Sequence, residues 1–149
     1  MRYSDVQMLG IAHVDAPERV TSEEIERRLA PALKRMGIPG GILKKLTGIE
    51  SRQMFDPALL PSDGAAEAAA RAIKTAGIDP SDLGVIVNTS VCRDPGEIST
   101  AGVVHQKLDL AENCISFDVG NACLGFMNGM DLVATMIERG QTDHGIVVA

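Results

Sequence analysis

The chain has 149 residues, 45% of them hydrophobic but only 3% aromatic, and a net charge of −6. That length suffices for one domain whose core must be aliphatic. The negative balance excludes nucleic-acid binding driven by phosphate attraction, and no apolar run reaches transmembrane length. Cys92, Cys114 and Cys123 form an odd set without CxxC spacing. They point to a reduced compartment and away from a disulfide frame or a zinc site. The N-terminus lacks a signal-peptide layout, so the default location is cytoplasmic.

In chain order, Val6 to Ala16 is expected to be a strand. Thr21-x-x-Glu24 is a capping box opening a helix. Ile25, Leu29, Leu33 and Met36 give that helix an apolar face, and Pro31 should kink or split it. A short helix is expected over Pro39 to Leu46, then an extended strand or turn to Met54. Ser62 should cap an Ala-rich helix running to about Thr75 and stopping at Gly77. Small side chains there suit close packing on a neighbouring layer.

Gly84 to Asn88 is a continuous apolar run, as in a parallel strand buried on both faces. A polar loop, Thr89 to Glu97, follows it. A helix is expected from Ile98 to Leu108, with Ser99 or Thr100 near its cap. Cys114 to Val119 reads as the next strand. The helix from Cys123 to Arg139 is apolar almost all round, the pattern of a buried helix. Gly125 and Gly129 share one of its faces and permit close packing. Gly145 to Val148 is a final buried strand, with no polar cap after it before Ala149. Strands alternating with helices imply an α/β fold with a mostly parallel sheet.

Cys123 falls where a strand gives way, through Gly120, Asn121 and Ala122, to a helix. The first N–H groups of a helix lack internal partners and its dipole there is positive, which favours a thiolate. The layout is that of a nucleophile elbow. From spacing alone, a small packed cysteine remains equally open.

Four segments then carry a family resemblance. They are Thr47-Gly-Ile-Glu-Ser-Arg52, the Ser62 helix with Ala76-Gly-Ile78, the strand Val85-Ile-Val-Asn-Thr89, and Asp118-Val-Gly-Asn-Ala-Cys-Leu-Gly-Phe126. In that order they resemble the thiolase-like condensing enzymes, within them the 3-oxoacyl-ACP synthase III group, and most the OleA type. The resemblance covers residues 1–149 as the N-terminal half of a member. It implies half of a duplicated, five-layered αβαβα fold and a homodimer formed near the catalytic loop. It places Cys123 at the acyl-accepting nucleophile. A His and an Asn from the C-terminal half would complete the site. His13, His105 and His144 are read as packed or surface residues, not as substitutes.

The resemblance also singles out Glu97, 123 − 97 = 26 residues before Cys123. OleA-type enzymes carry a glutamate at a similar place, reaching into the partner subunit's site as a base. Pro95, Gly96 and Ile98 depart from that pattern, and a solvated loop acid is the other reading. The implied chemistry is acyl transfer from acyl-CoA or an acyl carrier protein to Cys123, then Claisen condensation with a second acyl thioester. Without a base the step would be decarboxylative, as in synthase III of fatty acid biosynthesis. A catalytically incomplete fragment that only folds or dimerises is a third reading. No metal and no redox cofactor is implied.

Overall fold

The computed structural model describes residues 2–149. They form two compact units, one of residues 15–58 and one of residues 2–14 with 59–149.

In the smaller unit β1 (Glu18–Thr21) pairs antiparallel with β2 (Ser51–Met54). The helix α1 (Ser22–Arg35) starts where the sequence places it, Thr21 Oγ1 accepting the Glu24 N–H at 3.1 Å. Only half of the capping box forms, because the Glu24 carboxylate turns to Arg27 and Arg28 instead. Pro31 does not split the helix, which is continuous across it. Proline cannot bond the Arg27 carbonyl, but both residues are exposed, where water is at hand to take the missing partner's place. The helix α2 (Ile42–Thr47) begins after Gly41. The buried Glu26 carboxylate accepts the N–H groups of Gly41 and Leu43, the latter at 2.6 Å. That ties α2 to α1 without using the apolar face of α1, of which Leu29 and Met36 stay exposed.

The larger unit is a sheet between helices. β3 (Leu83–Asn88) is central, with β4 (Ile115–Asp118) and β5 (His144–Val148) both parallel to it. Its side chains alternate between two cores, as the pleat requires. Ile86 packs with Ala65, Ala69 and Ile73 of α3 (Pro61–Ala76) and Val104 of α4 (Thr100–Lys107). Val85 and Val87 pack with Val133 of α5 (Gly125–Glu138). All three β3 side chains are fully buried, each contributing about 2 kcal/mol. The expected parallel α/β architecture is therefore present, with helices on both faces.

Three further expectations change. Val6 to Ala16 pairs with no strand among the described residues. Instead the segment lies against helices. Arg71 Nη1 donates to the His13 carbonyl at 3.2 Å, and just before the segment Tyr3 Oη donates to the Asp131 carbonyl at 3.0 Å. A Cβ on Gly10 would meet the Ala72 carbonyl at 2.9 Å. Met8 and Ile11, which gave the run its strand-like look, are exposed. Ser62 is not the cap of α3. Pro61 takes the first helical position, where its missing N–H costs nothing, and the Asp63 carboxylate accepts the Leu60 N–H at 2.8 Å. Finally, α5 is not buried all round. Gly125, Gly129 and Val133 are buried, whereas Leu124 just before it is 61% exposed, Met127 61%, Leu132 41% and Phe126 37%. One sheet covers only one face of a helix.

Candidate functional site

Backbone pairing starts the two segments that carry the candidate residues at one end of the sheet. Asn88, the last residue of β3, lies beside Asp118 at the end of β4 and Val148 at the end of β5. The loop carrying Glu97 leaves from β3 and the turn carrying Cys123 leaves from β4. Both therefore start from the carboxyl ends of adjacent parallel strands, where α/β sheets place ligands.

The Cys123 turn is tight. The Val119 N–H donates to the Asn88 carbonyl at 2.8 Å, and the Leu124 N–H to the Asn121 carbonyl at 2.9 Å. Asn121 Nδ2 donates to Asn128 Oδ1 at 2.6 Å, pinning the turn to α5. Ala122 has φ +42°, in the left-handed region, which is uncommon for a residue with a side chain. Cys123 follows within a single 3-10 turn, Ala122–Leu124, and α5 begins at Gly125. The sequence predicts Cys123 at the start of a buried helix; it is exposed, two residues ahead of the α-helix. The reason lies in Gly125, whose Cβ would come 3.0 Å from the Thr89 carbonyl. That close approach seats α5 on the sheet from Gly125 onward and leaves Cys123 above the contact. Of the other cysteines, Cys92 is exposed in the loop, while Cys114 is buried and its thiol is pushed up by that burial. Cys114 belongs to the core with Ile86 and Leu110.

The second loop leaves β3 through Thr89, whose N–H and hydroxyl both donate to the Val148 carbonyl, at 2.7 and 2.9 Å. Glu97 is exposed and follows Gly96 at φ +112°, a conformation natural only to glycine. Arg93 lies across the Cys123 turn: a Cβ on Gly120 would stand 2.9 Å from its Nη2.

Three residues holding these segments received no role at the site from sequence. Asp94 is buried and its Oδ1 accepts the Ser62 N–H at 3.0 Å. Thr100 is buried and its hydroxyl accepts the Asp94 N–H at 3.1 Å. The Asp118 carboxylate accepts the N–H groups of Thr100 and Ala101 at 3.0 and 2.8 Å, filling the open start of α4. Asp118 lay inside the motif that carries Cys123, and Thr100 stood beside a cap; their mutual contacts have no local signal. The histidines lie elsewhere. His144 opens β5 beside Leu83, at the opposite end of the sheet. His105 Nε2 is 3.1 Å from the Ala111 carbonyl, and His13 is on the exposed N-terminal segment. Among the described residues no group of three His, Cys, Asp or Glu side chains could hold a metal ion, and no helix is long and apolar enough to cross a membrane.

No protein-family model matches the chain. Individual proteins do. An acyl-CoA:acyl-CoA alkyltransferase from Xanthomonas campestris pv. campestris is 44% identical over 148 residues, covering 99% of this chain and 44% of that protein. The crystal structure of a 3-oxoacyl-(acyl carrier protein) synthase III from Xanthomonas oryzae pv. oryzae superposes with TM-score 0.89 at 46% identity, over 99% of this chain and 44% of its own. A Xanthomonas campestris OleA with one histidine replaced by asparagine superposes with TM-score 0.88 at 43% identity, over 97% of this chain and 43% of its own. That OleA has also been solved with one glutamate replaced by glutamine or by aspartate. The chain spans less than half the length of the relatives it matches.

Proposed function

The chain is a homologue of the thiolase-like condensing enzymes of the synthase III and OleA group, with the fold of one half of them, and from that premise we propose that it supplies the acyl-accepting half of an OleA-type condensing enzyme. The observation that carries this is the 44% identity to an acyl-CoA:acyl-CoA alkyltransferase across nearly the whole chain. Support comes from the placement of the Cys123 turn and the Glu97 loop at one end of the sheet.

The chemistry runs in two stages. The Cys123 thiolate attacks the carbonyl of an acyl-CoA; the new C–S bond forms and the CoA thiolate leaves. Glu97 then takes an α-proton from a second acyl-CoA. The resulting carbanion attacks the acyl carbonyl on Cys123, a C–C bond forms, and the Cys123 thiolate is released. No carboxylate is lost, which separates this route from the decarboxylative condensation of malonyl carrier protein. Acid–base and oxyanion groups beyond those in this chain must converge on the same carbonyl. The His and Asn of the family's other half would supply them, so residues 1–149 alone should not turn over. We place the enzyme in the cytoplasm as a homodimer, with Glu97 serving the partner's Cys123. The exposed apolar side chains Leu124, Phe126 and Met127 beside the Cys123 turn suit such an interface.

Intact mass of the complete enzyme after exposure to long-chain acyl-CoA tests the first stage. One acyl mass should appear on Cys123 and vanish in Cys123→Ser; acylation mapped to Cys92 or Cys114 would overturn it. Glu97→Gln tests the second stage: it should acylate and then stall. Normal condensation by Glu97→Gln, or preference for malonyl carrier protein, would replace the OleA-type reading with the decarboxylative one.

A further inference from the structure

We propose that Thr100 and Asp94 are positioning residues, which hold the Glu97 loop in the shape that presents Glu97 to the partner's Cys123; this rests on the reading of Glu97 as the base. Glu97 itself makes no hydrogen bond or ion pair among the described residues, and it is exposed. Its place is therefore set by the backbone that carries it. That backbone is a closed loop. The Asp94 N–H donates to Thr100 Oγ1 at 3.1 Å, joining the two ends of the 94–100 segment with Glu97 between them.

The closed loop is in turn anchored at both ends. Asp94 Oδ1 accepts the Ser62 N–H from the first turn of α3 at 3.0 Å. The Thr100 N–H donates to Asp118 Oδ2 at 3.0 Å, and Asp118 ends the strand that leads five residues later to Cys123. Thr100 is thus bonded both to the Glu97 loop and to the strand that leads to Cys123. Thr100, Asp94 and Ser62 are all buried, so water does not compete for these bonds and each lost acceptor leaves a buried N–H unpaired. Gly96, beside Glu97, has φ +112°, a conformation natural only to glycine. Without the closure the loop would sample many Glu97 positions, and misplacement by about 1 Å can cost about 100-fold in rate.

The two residues separate cleanly by substitution. Thr100→Val keeps the shape and removes the acceptor; Thr100→Ser keeps the acceptor. Asp94→Ala removes the acceptor for Ser62. Asp94→Asn retains it on Oδ1, while Oδ2 has no hydrogen-bond partner to lose among the described residues.

The experiment uses the complete enzyme with long-chain acyl-CoA, reading single-turnover acylation of Cys123 separately from condensation. Thr100→Val and Asp94→Ala should acylate at the unmodified rate and condense about 10- to 100-fold more slowly. Thr100→Ser and Asp94→Asn should recover condensation to within about threefold. Adding Glu97→Gln to Thr100→Val should slow condensation no further than Glu97→Gln alone, because the two changes act through one group. Equal loss of acylation and condensation, or condensation at the unmodified rate in Thr100→Val, would overturn the inference while leaving Glu97 as base. If Glu97→Gln alone condenses normally, the base reading fails and the inference with it. Should Thr100→Val not fold, the Asp94→Ala and Asp94→Asn pair gives the same decision.

Discussion

The helices α3 and α5 lie on opposite faces of one sheet, and both touch it through small residues: Ala65 and Ala69 on α3, Gly125 and Gly129 on α5. Their outer faces differ. α3 turns Glu67, Ala70, Arg71 and Lys74 outward, an ordinary solvated surface with Arg71 and Glu67 paired at 2.5 Å. α5 leaves Phe126, Met127 and Leu132 exposed. A helix apolar on both faces is built for two layers. The difference teaches that α3 closes its side of the unit, whereas α5 offers a second apolar face. That agrees with a chain homologous to one half of a larger layered fold.

The largest expected effect tests how tightly α5 is seated. A Cβ on Gly129 would fall 2.7 Å from Thr89 Cγ2 and 2.9 Å from Val147 Cγ1. Gly129→Leu should therefore lower the unfolding free energy by about 3 kcal/mol through overpacking. Ala70→Leu, on the exposed side of α3, should change it by less than about 0.5 kcal/mol. Denaturant unfolding measures both, and equal shifts would break the comparison. A smaller effect concerns the outer faces. Phe126→Ser with Met127→Ser should reduce self-association of the purified chain in sedimentation, with a stability change of about 1 kcal/mol or less. Glu67→Ser should leave association as it was. Unchanged association in the α5 variant would mean that its exposed apolar face is not adhesive.

The same contrast explains what the sequence disclosed. β3 was legible because Val85, Ile86 and Val87 are buried on both faces, so burial shows as a plain apolar run. The glycines of α5 were legible as a close-packing face for the same reason. The exposure of Leu124 and Met127 was not, because an apolar pattern reports a tendency to be covered and not what covers it. Val6 to Ala16 misled in the opposite way. Its apolar residues alternate like a strand, but its neighbours are Arg71 and Ala72 on α3, distant in sequence. At the candidate site, Cys123 and Glu97 were singled out by motif, whereas Asp94, Thr100 and Asp118 act through bonds spanning 6 to 32 residues. Single-sequence reasoning sees a capping threonine there, not the closure of a loop.

The smallest expected effect separates the two helix heads by pH. The head of α5 is tied by the Asn121–Asn128 amide pair, which does not titrate. The head of α3 is tied by charge: Lys107 Nζ donates to Asp63 Oδ1 at 2.5 Å and to Ser62 Oγ at 2.6 Å, and Asp63 Oδ2 accepts the Leu60 N–H. The hydrogen bond from Lys107 first, and that from the Leu60 N–H second, hold the Asp63 carboxyl below the usual aspartate range. Because the folded chain depresses this pKa, its contribution to stability is complete above the ordinary aspartate value. It is lost as pH falls through the folded one. Both partners are partly exposed, so the contribution is screened and modest. Acidification should therefore raise amide exchange at residues 60–64, at the start of α3, before it does so at residues 121–128. Asp63→Asn should remove that acid sensitivity while leaving exchange at the start of α5 unchanged. Exchange that rises together at both heads would show that they open as one unit, and the distinction between the two helices would then end at their outer faces.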